Sequence, residues 1–239
     1  MLKEIFSISN YPALESNGAF KDKLILVLKV YGLLFGVMFL SAPLLAMADH
    51  VVTHVFHYKS VNEGYHKTMD DLINKLGRLK AIAYICLLGP LLEETVFRLS
   101  LTLKKQQVAI AVAFALFVIL NMMPQLKALN IWVNVGIRIS GVIGGYFLFI
   151  NLLPNNIILQ KRTHIRLIII SILVFGLVHI TNFSPLHWRI IYIYPLFVLP
   201  QLLMGWAITY IRFKNGFFWA LALHVIINGV STLLQMSVK

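Results

Sequence analysis

Long apolar runs separated by short polar stretches dominate the chain from residue 24 onwards. A membrane-crossing helix needs about 20 apolar residues, because the hydrocarbon layer is ~30 Å thick and a helix rises ~1.5 Å per residue. The apolar residues come in runs and not in strand-like alternation, which disfavours a β-barrel. The pattern predicts an all-α, polytopic transmembrane helical bundle of about seven spans. Their approximate limits are residues 24–48, 81–103, 107–123, 131–153, 165–183, 190–211 and 217–236.

The composition supports a membrane protein. Of the 239 residues, 59% are hydrophobic and only 13% are charged, whereas about 25% are charged in an ordinary soluble domain. A disordered chain has far fewer apolar residues, so this class is excluded as well. The net charge of +12 would suggest nucleic-acid binding in a soluble protein. Cations between apolar spans instead orient a protein in the bilayer, so we expect lipid and no nucleic acid as a partner.

Lysine and arginine residues cluster at alternate ends of the predicted spans. The opposite short loops carry only Lys127 and Arg189. The positive-inside rule therefore predicts a cytoplasmic N-terminus, and we expect an integral protein of a bacterial cytoplasmic (inner) membrane. The clustered cations are Lys21, Lys23, Lys29, Lys104, Lys105, Lys161, Arg162, Arg166, Arg212 and Lys214.

The character of the chain changes near residue 80. Residues 1–80 contain the first span and a polar segment, 49–80, for which we expect an interfacial loop that can include a short helix. Residues 81–239 contain the remaining spans as a helical core, within a single domain overall. Two glycine pairs at four-residue spacing favour close helix packing, and three prolines predict kinks in the second and sixth spans. These residues are Gly32, Gly36, Gly141, Gly145, Pro90, Pro195 and Pro200.

The strongest chemical signal lies in the second predicted span, where residues 91–98 are LLEETVFR. Each ionisable residue at mid-span costs about 2.5–3.5 kcal/mol on insertion scales, so it is a candidate for function. Glu94 and Arg98 are four residues apart, which places them on one helix face as an ion pair. Glu93 points ~100° away and is a candidate general base. The structural alternative is a buried Glu–Arg pair that stabilises helix packing, with Glu93 reaching water.

Two other apolar spans contain histidines. Phe175 and His179 are four residues apart in the fifth span, and so are His224 and Asn228 in the seventh. A single buried histidine is more often a packing residue than a catalyst. Two of them beside a glutamate pair favour a shared site, because buried polar groups need partners. Upright spans would separate His179 from His224 by on the order of 10 Å along the membrane normal, so the site needs tilted or kinked helices.

These three motifs, in this order and each within an apolar helix, resemble those of a known peptidase family. Glu-Glu-x-x-x-Arg, Phe-x-x-x-His and His-x-x-x-Asn are similar to the motifs of the CAAX protease and bacteriocin-processing family. This family is also called the abortive-infection or type II CAAX prenyl protease family of intramembrane peptidases. The resemblance covers residues 90–239, which makes 81–239 a peptidase-like membrane core, and residues 1–80 carry no family signal.

The resemblance implies an intramembrane endopeptidase acting on a membrane-associated peptide or protein. Glu93 and His179 would activate a water that attacks a peptide carbonyl. His224 and Asn228 would donate hydrogen bonds to the developing oxyanion, in keeping with what amide hydrolysis requires. The remaining motif residues would support the site structurally; they are Glu94, Arg98 and Phe175.

No cofactor is certain from the sequence, and two other functional classes stay open. Metal-free catalysis is favoured, but Glu93, His179 and His224 are also a plausible Zn²⁺ ligand set. A non-enzymatic immunity or scaffold protein of the same fold is one alternative, and the complete set of motif residues argues against it. A proton-coupled transporter is the other, and the lack of inverted repeats argues against that.

Overall fold

The computed structural model describes residues 1–14 and 18–237, and these contain helices and no β-strand. The described residues form nine α-helices of six residues or more. They are α1 (Phe20–His54), α2 (Val61–Leu76), α3 (Arg78–Ala83), α4 (Gly89–Phe97), α5 (Lys105–Met122), α6 (Ile131–Leu152), α7 (Lys161–Val178), α8 (Leu199–Asn215) and α9 (Phe217–Ser237). A π-turn, Tyr84–Leu88, joins α3 to α4. Shorter helical turns are Leu2–Ile5, Ile8–Ala13, Leu99–Thr102, Pro124–Lys127, His179–Phe183, Trp188–Ile190 and Tyr194–Phe197.

The prediction of an all-α, membrane-spanning fold is confirmed. Among the described residues, five helices are long and apolar enough to cross a bilayer: Phe20–His54, Lys105–Met122, Ile131–Leu152, Lys161–Phe183 and Phe217–Met236. The other two predicted spans are interrupted helices. The π-turn divides the second, and the sixth changes from the short turn at Tyr194–Phe197 to α8. Pro195 lies in the first turn of Tyr194–Phe197, and Pro200 lies in the first turn of α8. Both prolines thus lie where one helical segment of the sixth predicted span begins.

The chain divides into two compact units, residues 1–90 with 169–239, and residues 91–168. In the second unit α5 packs on α6 through the predicted glycine pair. A Cβ atom added at Gly141 would lie 2.7 Å from Leu120 Cδ1, and one at Gly145 would lie 2.6 Å from Leu116 Cδ1. The added Cβ at Gly145 would also lie 3.7 Å from the Ala113 Cα atom. Both glycines therefore lie against α5, as the predicted packing at this pair requires, and a larger residue there would displace the leucine side chains.

The same spacing in α1 has no such role. Cβ atoms added at Gly32 and Gly36 would have no heavy atom of the described residues within 4 Å, outside the helix's own nearby backbone. The prediction of close helix packing at this pair is therefore wrong. In membranes, small residues permit close packing only where a second helix faces them.

The polar segment 49–80 is mainly helical, so its helix is longer than the short one that the expected interfacial loop allowed. The first helix continues to His54, and α2 begins at Val61. The carboxylate of Asp49 accepts hydrogen bonds from Ser60 Oγ and from the Val61 N–H, both at 2.7 Å. A negative charge at a helix N-terminus is favourable because the backbone N–H groups point at it. Asp49 thus attaches the start of α2 to the end of α1.

The N-terminal segment packs on α8, which the sequence did not reveal. Tyr11 is fully buried, donates a hydrogen bond to the Ile5 carbonyl at 2.5 Å and accepts one from Trp206 Nε1 at 2.8 Å. Glu4 accepts hydrogen bonds from Tyr210 Oη and Lys214 Nζ, both at 2.8 Å. The first turns of the chain are therefore part of the folded unit.

Glu4 predicts a pH-dependent contribution to stability. The Lys214 ammonium, by hydrogen bonding, lowers the pKa of the Glu4 carboxyl below its ordinary value. A lowered carboxyl pKa stabilises the folded state above the unfolded-state pKa, and this contribution is lost as pH falls through the folded-state pKa. Glu4→Gln should therefore lower the melting temperature at neutral pH, with a difference that disappears in acid. The control is Glu63→Gln, which replaces an exposed carboxylate; an identical pH profile for both variants would contradict the prediction.

Candidate active site

The predicted ion pair is present in the unit formed by residues 91–168. Arg98 Nη1 lies 3.4 Å from Glu94 Oε1, and neither side chain is exposed. The Arg98 guanidinium also lies 5.8 Å from the centroid of the Phe97 ring. Helical spacing alone brings the acid and the base together, as expected for residues one turn apart. Glu93 lies on the same helix and is half-buried.

Both motif histidines contact one phenylalanine in the other unit. Phe175 is fully buried, and its ring centroid lies 4.9 Å from that of His179 and 5.9 Å from that of His224. The edge-on arrangement of Phe175 and His224 is a favourable one for aromatic pairs. One buried side chain therefore lies against both imidazoles.

The hydrogen bond of His179 selects one tautomer. Its Nδ1 lies 2.7 Å from the Phe175 carbonyl oxygen. A carbonyl only accepts, so Nδ1 carries the proton and, in the neutral ring, Nε2 keeps its lone pair. One turn of helix before His179, α7 packs closely against α8. A Cβ atom added at Gly176 would lie 2.3 Å from Leu202 Cδ2 and 3.1 Å from Leu202 Cα. The Nδ1 hydrogen bond therefore fixes the His179 ring against its own helix.

His224 and Asn228 lie one turn apart on α9. His224 is fully buried, although its ring is polar and the helix around it in sequence is mostly apolar. Asn228 Nδ2 donates a hydrogen bond of 3.0 Å to the Ile85 carbonyl, in the π-turn. The amide thus has a structural partner that the sequence motif did not reveal. The sequence does indicate where the helix is irregular, because Pro90 lacks an N–H and predicts an interruption of regular helix next to the π-turn.

Among the residues that the structure describes, there is no group of three or more His, Cys, Asp or Glu side chains placed to hold one metal ion. A structural or catalytic zinc needs at least three protein ligands. The described residues therefore give no support to the zinc alternative, and the catalytic roles of Glu93, His179, His224 and Asn228 stay predictions.

Apolar helices of membrane-crossing length, with ionisable residues inside apolar sequence, define an integral membrane protein with a polar site. The model of a protein family, described as type II CAAX prenyl endopeptidase Rce1-like, matches residues 75–230. The match includes all the motif residues and more than half of the 239-residue chain. The chain belongs to this family of proteases, as its motifs indicated. No curated protein and no solved structure matches it.

Proposed function

We propose that this protein is an intramembrane endopeptidase that hydrolyses a peptide bond of a membrane-associated peptide or protein. The observation that carries the proposal is the arrangement of the two histidines around Phe175. This arrangement places both motif imidazoles against one buried aromatic ring, in apolar parts of the chain. Family membership supplies the reaction class, because the family consists of proteases.

Water activation is assigned to Glu93 and His179. A carboxylate and an imidazole nitrogen can together hold a water and accept its proton as the oxygen attacks the carbonyl. The proton then passes to the leaving amine, so that one carboxyl and one amine product form. The Phe175 carbonyl keeps the His179 proton on Nδ1, so Nε2 is the ring nitrogen that would take the proton of the water.

Oxyanion stabilisation is assigned to His224 and Asn228. Hydrogen-bond donors fixed in a water-poor site stabilise developing charge strongly, and one such donor contributes about 10²–10³-fold in rate. Burial of His224 fits this role. Glu94, Arg98 and Phe175 are assigned to supporting the site, since all three are buried and two of them form an ion pair.

We further infer the position of the protein in the membrane. The N-terminus lies in the cytoplasm of a bacterium and the helices cross the cytoplasmic membrane. The distribution of Lys and Arg supports this orientation, because short cytoplasmic loops retain the positive residues. Accessibility of single cysteines introduced in a Cys86→Ala background measures it, with residue 3 protected from an impermeant thiol reagent in intact cells.

The test of the proposed function is direct. Purified protein in detergent or vesicles is incubated with a library of membrane peptides, with and without a chelator, and products are read by mass spectrometry. We expect new internal peptide termini in both arms, and none with Glu93→Gln. Cleavage abolished by the chelator and restored by Zn²⁺ would overturn the metal-free mechanism. Intact peptides in every arm would favour the scaffold alternative, and a proton flux without cleavage would favour the transporter.

A further inference from the structure

The segment just before α4, the helix that contains Glu93, has hydrogen bonds between residues five apart instead of four apart. Residues Tyr84–Leu88 form the π-turn, and the Gly89 N–H donates to the Tyr84 carbonyl, five residues earlier. A Cβ atom at Gly89 would lie only 3.2 Å from that carbonyl oxygen, so glycine suits the wider turn. Single π-turns inside α-helices frequently occur at functional sites.

The next residue cannot continue this register. In the same pattern residue 90 would donate to the Ile85 carbonyl, but Pro90 has no N–H. The side chain of Asn228 takes that place, because its Nδ2 donates to Ile85 O at 3.0 Å. An amide from α9 thus supplies the hydrogen bond that the proline cannot make.

A second contact holds the adjacent residue of the π-turn. Cys86 Sγ and Thr232 Oγ1 lie 3.8 Å apart and are buried. Thr232 follows Asn228 by one helical turn, so both side chains project from the same face of α9. Two successive residues of the π-turn, Ile85 and Cys86, are therefore held by one face of one helix.

We propose that Asn228 is a positioning residue, which holds the π-turn through the Ile85 carbonyl and so sets the direction in which α4 begins. A primary amide has two N–H groups and this bond uses one, so the role is compatible with oxyanion binding by the other. The π-turn directly precedes α4, the helix whose sequence contains Glu93. The consequence for catalysis rests on the proposed function, whereas the hydrogen bond does not.

The chain contains a reporter for the π-turn. Cys86 is the only cysteine in the sequence, and it is 7% exposed. The rate at which a small maleimide labels the folded protein in detergent therefore measures opening of the turn. Loss of one buried hydrogen bond should favour opening by about tenfold, so Asn228→Leu should label about tenfold faster than the parent.

Restoring the backbone donor should remove this effect. Pro90→Ala returns an N–H to residue 90, which can donate to the Ile85 carbonyl. The labelling rates of Pro90→Ala and of Pro90→Ala/Asn228→Leu should then agree within about twofold, as a double-mutant cycle of coupled residues requires. A rate unchanged by Asn228→Leu, or raised equally in both backgrounds, would overturn the positioning role. Should Asn228→Leu fail to fold, Asn228→Ala also removes the donor, with a smaller side chain, and gives the same comparison.

A matched control removes a similar bond elsewhere in the same unit. Asn215 Nδ2 donates to the Lys23 carbonyl at 3.1 Å, so Asn215→Leu should leave the Cys86 labelling rate unchanged. Peptide hydrolysis, measured in parallel, separates the two proposals. Rescue of labelling in a protein that cleaves nothing would overturn the proposed function and keep the positioning role. If Asn228→Leu lost hydrolysis but labelled at the parent's rate, the positioning role would be overturned and the proposed function would be kept.

Discussion

Glu93→Gln is expected to abolish measurable peptide hydrolysis while leaving the protein folded. The glutamine amide matches the carboxylate in size but cannot accept a proton from water. General-base catalysis typically contributes about 10²–10⁴-fold in rate, so turnover should fall by at least this factor. The measurement is the initial cleavage rate of a peptide identified by the library experiment, with the melting temperature recorded for the same preparation.

The control for this variant is Glu63→Gln, because Glu63 is exposed on α2 and lies outside the residues matched by the family. Both variants remove one negative charge, so a general effect of charge would reduce both rates. Undiminished turnover by Glu93→Gln would remove Glu93 from the role of base. A low rate accompanied by a lower melting temperature would instead indicate that Glu93 stabilises the fold.

Arg98→Ala is expected to destabilise the protein by roughly 3–5 kcal/mol, the usual cost of removing one partner from a buried ion pair. The structure supports this magnitude, since both side chains of the Glu94–Arg98 pair are fully buried. The variant leaves the Glu94 carboxylate in an apolar environment without its opposite charge. Reversible unfolding in detergent or urea, followed by circular dichroism, measures the change in the free energy of unfolding.

Two further variants distinguish loss of the pair from loss of volume. Arg166→Ala removes an exposed arginine of the same unit and should change stability little, since surface substitutions usually change it by about 0.5 kcal/mol or less. Adding Glu94→Gln to Arg98→Ala removes the uncompensated charge and should recover part of the loss. Equal stability of Arg98→Ala and the parent would show that the pair does not stabilise the fold.

Local features of the chain were predictable from the sequence because their causes lie within one or two helical turns. The length of the apolar runs determines which helices can cross a bilayer. Four-residue spacing determines that Glu94 and Arg98 meet. The order of the three motifs was sufficient to indicate the family, which the match over residues 75–230 confirms.

Other features depend on residues far apart in the chain, for which spacing carries no information. The four-residue glycine spacing at Gly32 and Gly36 did not indicate close packing, since a helix must have a neighbour at that face. The contact of Tyr11 with Trp206 joins opposite ends of the sequence. Nothing in either local pattern distinguishes these residues from ordinary aromatic residues of a membrane protein.

The composition and order of the motifs, by themselves, determined that this is a helical membrane protein with buried ionisable groups. Only the tertiary structure decided that one phenylalanine contacts both histidines and that Asn228 bonds to the Ile85 carbonyl. The physical reason is that hydrogen bonds and ring contacts act over only a few ångströms. Which distant residues meet within that range depends on how whole helices pack, and periodicity along one helix does not contain that information.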